Sequence, residues 1–209
     1  GNAVLIKPSE LTPFTAAFAV ALMYEAGIPE AVAQVITGDG RTGDALIDVV
    51  DGLSFTGSSA TGRQVGVRAA QRLIPYTLEL GGKDPLIVLE DADLDQAAYG
   101  ALRGAMENAG QACVSVERVY VVEAVYEAFV ARLVLAAQGL TMGSGSHDLD
   151  MGSLTGEREL ARAEAQVAEA VAQGAQVVVG GHRRPDLGPR FFEPTIVINA
   201  DHSMQIMRE

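Results

Sequence analysis

The sequence alternates short apolar runs with longer stretches in which apolar residues recur at helical spacing. The run VLIK (4–7) is followed by Thr12 and Pro13, which are typical of a helix N-cap and first helical position, and the helical spacing continues to Gly27. The apolar positions of this stretch are Phe14, Ala17, Phe18, Ala21 and Leu22. The pattern predicts a strand followed by an amphipathic helix.

This alternation continues along the chain. Before Gly82 we expect strands at 32–36, 53–56 and 76–80, a short helix at 45–50 and a helix over 61–73. After it we expect strands at 86–89, 118–122 and 177–179, helices over 93–109, 124–138 and 157–174, a long loop at 139–156 and a final strand approach at 191–198. Strands that alternate with helices are typical of crossover units in a parallel sheet, which predicts an α/β fold with a boundary near Gly82.

Composition and charge narrow the classes of function. Of the 209 residues, 48% are hydrophobic and 20% charged, which suits one large or two small globular domains. No apolar run reaches the roughly 18 residues of a membrane helix and no export leader is visible, so we expect neither a membrane nor an exported protein. The net charge of −12 disfavours nucleic acid and anionic membranes as partners, so local dipoles must hold any phosphate-bearing ligand. A single cysteine forms no internal disulfide, which favours a cytoplasmic protein.

The segment TGDGRTG carries a literal GxGxxG spacing between a predicted strand and the predicted short helix. In a dinucleotide-binding fingerprint, an acidic residue about 20 positions later ends the next strand and holds the ribose. Here that strand end reads FTGS (55–58), without an acid. We therefore interpret Gly40 and Gly43 as turn-forming glycines, with Gly38 leaving room for a flat ring.

The segment FTGSSATG (55–62) is a better candidate for binding phosphate. A predicted strand ends at Thr56 and a helix begins near Thr61, so unpaired N–H groups and the positive end of the helix dipole point into the turn. Ser58 adds a hydroxyl donor. The alternative is an ordinary capped helix start.

Glu79 and Cys113 are the candidates for chemistry. Glu79 lies at the end of the alternating strand YTLEL, just before two glycines, and its alternative is a solvated or ion-paired glutamate. Cys113 is the only cysteine, and its alternative is a buried core thiol. Gly110, Gln111 and the small residues around it leave access to the sulfur and a free backbone N–H beside it, which a core cysteine does not need.

The segments GNAVLIKPSELTP (1–13), FTGSSATG, LELGGKDP (78–85) and GQAC (110–113) resemble those of the aldehyde dehydrogenase superfamily in order and approximate spacing. The resemblance covers most of the chain. It implies a partial Rossmann-like NAD(P)-binding domain over 1–82 and a partial catalytic α/β domain over 83–209.

The resemblance also implies roles for individual residues. Cys113 matches the family nucleophile and Glu79 the general base. The cofactor-binding residues that it implies are Lys7 and Glu10 at the adenosine ribose, Ser58 at the pyrophosphate and Gly81 near the nicotinamide. The implied reaction oxidises an aldehyde to a carboxylate with NAD(P)+ through a cysteine thiohemiacetal and a thioester.

The resemblance leaves open the choice between NAD and NADP, and whether water or CoA takes the acyl group from the thioester. Glu10 favours NAD because a carboxylate repels the extra phosphate of NADP, while Lys7 close by softens that repulsion, so NADP remains possible. A CoA-acylating relative is one alternative function, although a general base at Glu79 favours hydrolysis. A non-catalytic nucleotide-binding or assembly module is the other.

Departures from the family pattern imply an internal fragment. In the family, the region before the matched part contains an asparagine that completes the oxyanion hole. The family's oligomerisation strands come after the matched part. Glu209 is assigned no role. Because the loss of one oxyanion donor costs on the order of 10² to 10³ in turnover, we expect the fragment alone to be inactive. We expect the full-length protein to be a homo-oligomeric enzyme.

The substrate is predicted only as an aldehyde. The run CVSVERVYV resembles bacterial members of the succinate-semialdehyde or broad-specificity type. Arg118 in this run is interpreted as a solvated side chain, with contact to an acidic substrate as the alternative. His147, His182 and His202 show no ligand spacing, which predicts no metal site.

Overall fold

The computed structural model of the chain describes residues 1–145 and 148–208, so His147 and Glu209 lie outside the described residues. The chain divides into two compact units, Gly1–Leu80 and Gly81–Glu209. This division falls two residues before the boundary that the sequence predicts at Gly82, so that Gly81 belongs to the second unit. No helix in the described part of the chain is long and apolar enough to cross a membrane.

The first unit alternates strands and helices, as predicted. Its elements are β1 (Val4–Ile6), α1 (Pro13–Glu25), β2 (Ala33–Val35), α2 (Gly40–Ile47), β3 (Leu53–Gly57), α3 (Ser59–Gln71) and β4 (Tyr76–Leu80). Strands β1 and β2 pair in parallel, and so do β3 and β4. The parallel pairing is as predicted, but the two pairs form separate two-stranded sheets.

Helix α1 is apolar on nearly all sides, and the face that the sequence predicts to be buried is not the one that is covered. All five apolar positions of the predicted stripe are exposed, and Phe14 retains 85% of its accessible surface. The face that is covered within the unit carries Ala16, Val20 and Tyr24, and the Tyr24 hydroxyl donates to the carbonyl of Ala33 at 2.6 Å. Periodicity could not select this face because apolar residues surround the helix.

Helix α2 corrects the interpretation of the glycine-rich segment. The helix begins five residues earlier than predicted because Asp39 caps it, accepting a hydrogen bond from the Arg41 N–H at 3.0 Å. Gly40 and Gly43 therefore lie in a helix, and the prediction that they form turns is wrong. Of the three glycines in this segment, Gly38 alone has a backbone that favours glycine, with a φ of +149°.

The second unit contains the larger hydrophobic core. Its elements are β5 (Asp84–Val88), α4 (Leu94–Met106), β6 (Val116–Val121), α5 (Tyr126–Gln138), α6 (Glu157–Ala172), β7 (Gln176–Val179) and β8 (Ile196–Ile198). Helices α4 and α5 cover β5 and bury Val88, Leu102 and Phe129 in one cluster. Strands β5 and β6 pair in parallel, whereas β7 and β8 are antiparallel. The α/β class is confirmed, with one antiparallel pair among the described strands.

Candidate active site

Cys113 is exposed on the loop that joins α4 to β6. The loop begins with a turn at residues 107–110, in which Asn108 (φ 54°, ψ 30°) and Ala109 (φ 56°, ψ 36°) are left-handed and Gly110 has a φ of +72°. Left-handed backbone is unfavourable for residues other than glycine, so neighbouring groups have to hold this turn. The exposure of the thiol excludes the core-cysteine alternative.

Side chains fix the loop on both sides of the cysteine. Ser115 is buried, and its hydroxyl donates to the α4 carbonyls of Gly104 at 3.1 Å and Ala105 at 3.3 Å. On the other side, Asn108 Nδ2 donates to the carbonyl of Gln111 at 3.1 Å. Within the described residues the backbone N–H of Cys113 makes no hydrogen bond, which leaves a donor beside the exposed sulfur.

Glu79 stands at the carboxyl end of the β3–β4 sheet. It is the register partner of Thr56 on β3, and both residues are exposed. In the part of the chain that the structure describes, its carboxylate enters no ion pair or hydrogen bond. The ion-paired alternative for Glu79 is therefore wrong, and the carboxylate is free to act as a base or to remain solvated.

Ser58 caps helix α3, which follows β3. Its hydroxyl oxygen accepts from the Thr61 N–H at 3.2 Å, and its proton is directed to Thr61 Oγ1 at 3.0 Å. The helix begins at Ser59, two residues before the predicted Thr61. The N–H groups of Ser59 and Ala60 make no hydrogen bond among the described residues, so they remain available to a ligand.

Lys7 and Glu10 follow strand β1 and lie close to each other. Lys7 Nζ is 4.0 Å from Glu10 Oε2, and it donates to the carbonyls of Pro8 at 2.8 Å and Gly38 at 2.9 Å. The Lys7 side chain is 18% exposed, whereas that of Glu10 is 57% exposed. The structure thus brings Lys7 and Glu10 together with Gly38, which lies 31 residues after Lys7 in the sequence.

Gly81 opens the second unit with free space around it, since a side chain added there would meet no atom within 4 Å. Its neighbour Gly82 lies against the Cys113 loop, because a Cβ at Gly82 would come within 3.4 Å of the Cys113 carbonyl oxygen. The predicted cofactor and catalytic residues therefore fall into two groups. Lys7, Glu10, Gly38, Ser58 and Glu79 belong to the first unit, and Gly81 and Cys113 belong to the second.

Arg118 is not the solvated side chain that the sequence predicts. It is half-buried, and its Nε and Nη2 both donate to the Lys83 carbonyl, the former at 2.8 Å. The guanidinium carbon also lies 5.9 Å from the centre of the Tyr120 ring, on which His202 stacks. In residues 1–145 and 148–208, no group of three or more metal-ligating side chains is suitably placed for an ion.

The sequence interpretation missed the residues that hold the loop, chiefly Gln111 and Ser115. In the sequence, Gln111 indicates only that the sulfur is accessible. Its long-range hydrogen bonds reach residues 42 and 44 positions away in the sequence. A local pattern does not contain this information, although the glutamine two residues before the cysteine in GQAC is a visible signal.

Comparison with known proteins gives consistent matches. The model of the aldehyde dehydrogenase family matches residues 1–209. A putative succinate-semialdehyde dehydrogenase [NADP(+)] 2 of Mycobacterium tuberculosis is 42% identical over 207 residues, which are 98% of this chain and 40% of that protein. The mitochondrial succinate-semialdehyde dehydrogenase of Oryza sativa subsp. japonica is 38% identical and is matched by 100% of this chain over 40% of its own length.

Solved structures agree with this result. A lactaldehyde dehydrogenase from Escherichia coli has a TM-score of 0.94 and 37% identity, and the match covers 99% of this chain and 44% of that one. A betaine aldehyde dehydrogenase from Staphylococcus aureus in complex with NAD+ has a TM-score of 0.93 and 35% identity over 99% of this chain and 42% of its own. The chain thus spans about 40% of the length of the curated relatives it matches.

Proposed function

The chain belongs to the aldehyde dehydrogenase family, and on that premise we propose that it is part of an enzyme that oxidises an aldehyde to a carboxylate with NAD(P)+. The observation that carries the proposal is the exposed Cys113 thiol beside an unpaired backbone N–H, on a loop fixed at both sides. An accessible thiol and an adjacent donor are the two groups that nucleophilic attack on a carbonyl requires.

The first step is the attack of the Cys113 thiolate on the aldehyde carbon. A carbon–sulfur bond forms, the carbonyl π electrons move to oxygen, and the Cys113 N–H donates to the resulting oxyanion. The thiohemiacetal becomes a thioester by losing a hydride, for which a nicotinamide cofactor would be the acceptor when bound. Sulfur suits both halves of the reaction because a thiolate attacks well and leaves well.

The second step is hydrolysis, and we assign the base to Glu79. The carboxylate takes a proton from a water molecule whose oxygen attacks the thioester carbon. The carbon–sulfur bond then breaks to release the thiolate and a carboxylic acid, which gives its remaining proton to solvent. A positioned general base typically contributes about 10² to 10⁴ in rate. The exposure of Glu79 supports the assignment, because no cation among residues 1–145 and 148–208 pairs with its carboxylate.

The first unit supplies groups that fit a dinucleotide. The free N–H groups of Ser59 and Ala60 at the start of α3 suit the pyrophosphate, and Ser58 contributes mainly by shaping the helix start. Lys7 and Glu10 suit the adenosine ribose. Because Lys7 lies 4.0 Å from Glu10, its charge partly offsets the repulsion between that carboxylate and the extra phosphate of NADP, so we propose NAD with NADP as a second cofactor.

The matches to succinate-semialdehyde dehydrogenases make succinate semialdehyde the first aldehyde to test. Arg118 is not proposed as the group that binds an acidic substrate, because its Nε and Nη2 are already directed to the Lys83 carbonyl. A single thiol that has to stay reduced favours the cytoplasm. The homo-oligomer implied by the sequence remains a prediction for the full-length protein.

The test uses the full-length protein and follows NAD(P)H formation with succinate semialdehyde and a panel of other aldehydes, with NAD+ or NADP+, and with or without CoA. We expect turnover without CoA in the wild type and none in Cys113→Ala. Turnover that persists in Cys113→Ala would contradict the nucleophile assignment. Turnover that requires CoA would favour the acylating alternative, and cofactor binding without any turnover would favour the non-catalytic module.

A further inference from the structure

The side chain of Gln111 connects the turn before Cys113 to a distant part of the second unit. Its amide nitrogen donates to the Asn108 carbonyl at 3.0 Å and to the Ser153 carbonyl at 3.4 Å. Its amide oxygen accepts from the Thr155 N–H at 2.8 Å. One primary amide thus uses both donors and its acceptor, and only glutamine or asparagine side chains offer this combination.

The distant segment is itself firmly held. The Thr155 carbonyl accepts from Arg190 Nη1 at 2.6 Å, and the Leu154 N–H donates to the Arg190 carbonyl at 2.9 Å. Arg190 immediately precedes Phe191 and Phe192, which are both buried. Gln111 is therefore bonded to a segment that the core keeps in place, rather than to a free loop.

The turn requires this support because its backbone is unfavourable. Asn108 and Ala109 are both left-handed, a conformation that residues other than glycine rarely adopt in succession. Ser115 fixes the loop beyond Cys113 on helix α4, but the turn before Cys113 is connected to residues 153–155 through Gln111. Without the amide, we expect Asn108 and Ala109 to relax toward the right-handed region and to displace the loop.

We propose that Gln111 is a positioning residue, which tethers the left-handed turn to residues 153–155 and thereby fixes the direction of the Cys113 thiol and N–H. The inference rests on the proposed function, because it assigns a role for that same nucleophile. Gln111 itself touches no reacting atom in this account. Small displacements of a catalytic group have large effects on rate, so the loss of the tether should lower turnover rather than cofactor binding.

The test compares three variants of the full-length protein with the wild type. Gln111→Met keeps the length of the side chain and removes every hydrogen bond, while Gln111→Glu keeps an acceptor for Thr155 and loses the donors. Gln138→Met is the matched control, because Gln138 is an exposed glutamine at the end of α5. The readouts are amide hydrogen exchange of a peptide spanning 153–157, kcat, KM for the cofactor, and the rate at which iodoacetamide alkylates Cys113.

In Gln111→Met we expect exchange of the Thr155 amide to accelerate at least tenfold and kcat to fall at least tenfold. KM for the cofactor and the alkylation rate should stay within about twofold, since the thiol remains exposed and its unit folded. The Thr155 exchange rate and the kcat of Gln111→Glu should lie between those of Gln111→Met and the wild type. Both values in Gln138→Met should match the wild type.

Unchanged exchange in Gln111→Met would overturn the tether. Faster exchange with a wild-type kcat would overturn the positioning role, and so would an equal loss of kcat in Gln138→Met. A wild-type protein that shows no dehydrogenase turnover, although exchange at Thr155 still depends on Gln111, would overturn the proposed function and support the tether.

Discussion

Glycines that look alike in the sequence serve different purposes in this chain. Gly38 has a φ of +149°, and a side chain added to it would overlap the Thr42 hydroxyl. Gly40 lies in the first turn of α2, where an added side chain would meet no atom within 4 Å. Gly38 also directs its carbonyl to Lys7 Nζ. The backbone at Gly38 is therefore required, whereas that at Gly40 is not.

We expect Gly38→Ala to destabilise the protein by about 1–3 kcal/mol, because alanine is strained at this φ and collides with Thr42. Gly40→Ala is the matched control and should be neutral or stabilising by about 0.4–1 kcal/mol, since alanine restricts the unfolded chain. Urea unfolding of both variants measures the difference. Equal free energies of unfolding for Gly38→Ala and Gly40→Ala would contradict the requirement for glycine at position 38.

Helix α3 depends on Ser58 for its first turn, and the same residue is proposed to shape the pyrophosphate site. These two roles are separable because aspartate also caps helices but adds a negative charge. The Ser58 hydroxyl is already occupied by Thr61, so the nearby free N–H groups carry most of the proposed cofactor contact.

Ser58→Ala should lower the free energy of unfolding by about 1 kcal/mol through loss of the cap. Ser58→Asp should retain the cap and yet raise the Kd for NAD(P)+ at least tenfold, because its carboxylate repels a pyrophosphate. Thermal unfolding and titration of the cofactor measure the two effects, with Ser54→Ala on β3 as a control. An unchanged Kd in Ser58→Asp would argue against a pyrophosphate at this helix start.

Helix α6 is joined to the segment after β7 by Arg183. Its guanidinium bonds to Glu157 at 2.7 Å and to Glu164 at 2.7 Å. The hydrogen bond from Arg183, followed by its charge, holds the pKa of Glu164 below the ordinary value of 4.5. A lowered folded-state pKa stabilises the fold above the ordinary pKa, and this contribution disappears as the pH falls through the folded-state value.

Arg183→Gln should therefore lower Tm at pH 7, and this difference should shrink as the pH falls below 4.5 and through the lowered pKa of Glu164. Thermal unfolding across this pH range measures the difference between variant and wild type. Arg162→Gln, an exposed arginine on α6, is the control. A Tm difference that does not shrink on acidification would show that Arg183 stabilises the fold by packing rather than by charge.

Helices and strands were predictable from the sequence wherever the local pattern of apolar and polar residues allowed one interpretation. The alternating run YTLEL gives β4 at Tyr76–Leu80, as predicted, and the predicted helix at 124–138 matches α5 closely. The covered face of α1 was not predictable, because a helix that is apolar all round gives periodicity no preferred side. The start of α2 depended on a cap at Asp39, which outweighed the turn tendency of the glycines.

At the scale of the whole molecule, the family and the α/β fold could be inferred from motifs, and the comparisons confirm both. The exposure of Cys113 was inferred from its small neighbours. The tether through Gln111 could not be inferred, because its partners lie 42 and 44 residues away and are chosen by tertiary structure. Residue type thus suggested Cys113 as the proposed nucleophile, whereas the hydrogen bonds that hold its loop are visible only in the structure.

The central proposal is that Cys113 attacks the aldehyde and that Glu79 serves as the base in the later hydrolysis. The most direct test is a rapid-mixing experiment on the full-length Glu79→Gln protein, combined with mass spectrometry of the Cys113 peptide and with Glu90→Gln as a control. We predict a burst of up to about one NAD(P)H per subunit, an acyl group on Cys113, and steady turnover lowered by about 10² to 10⁴. Wild-type steady turnover in Glu79→Gln, without an acyl group on Cys113, would contradict the account.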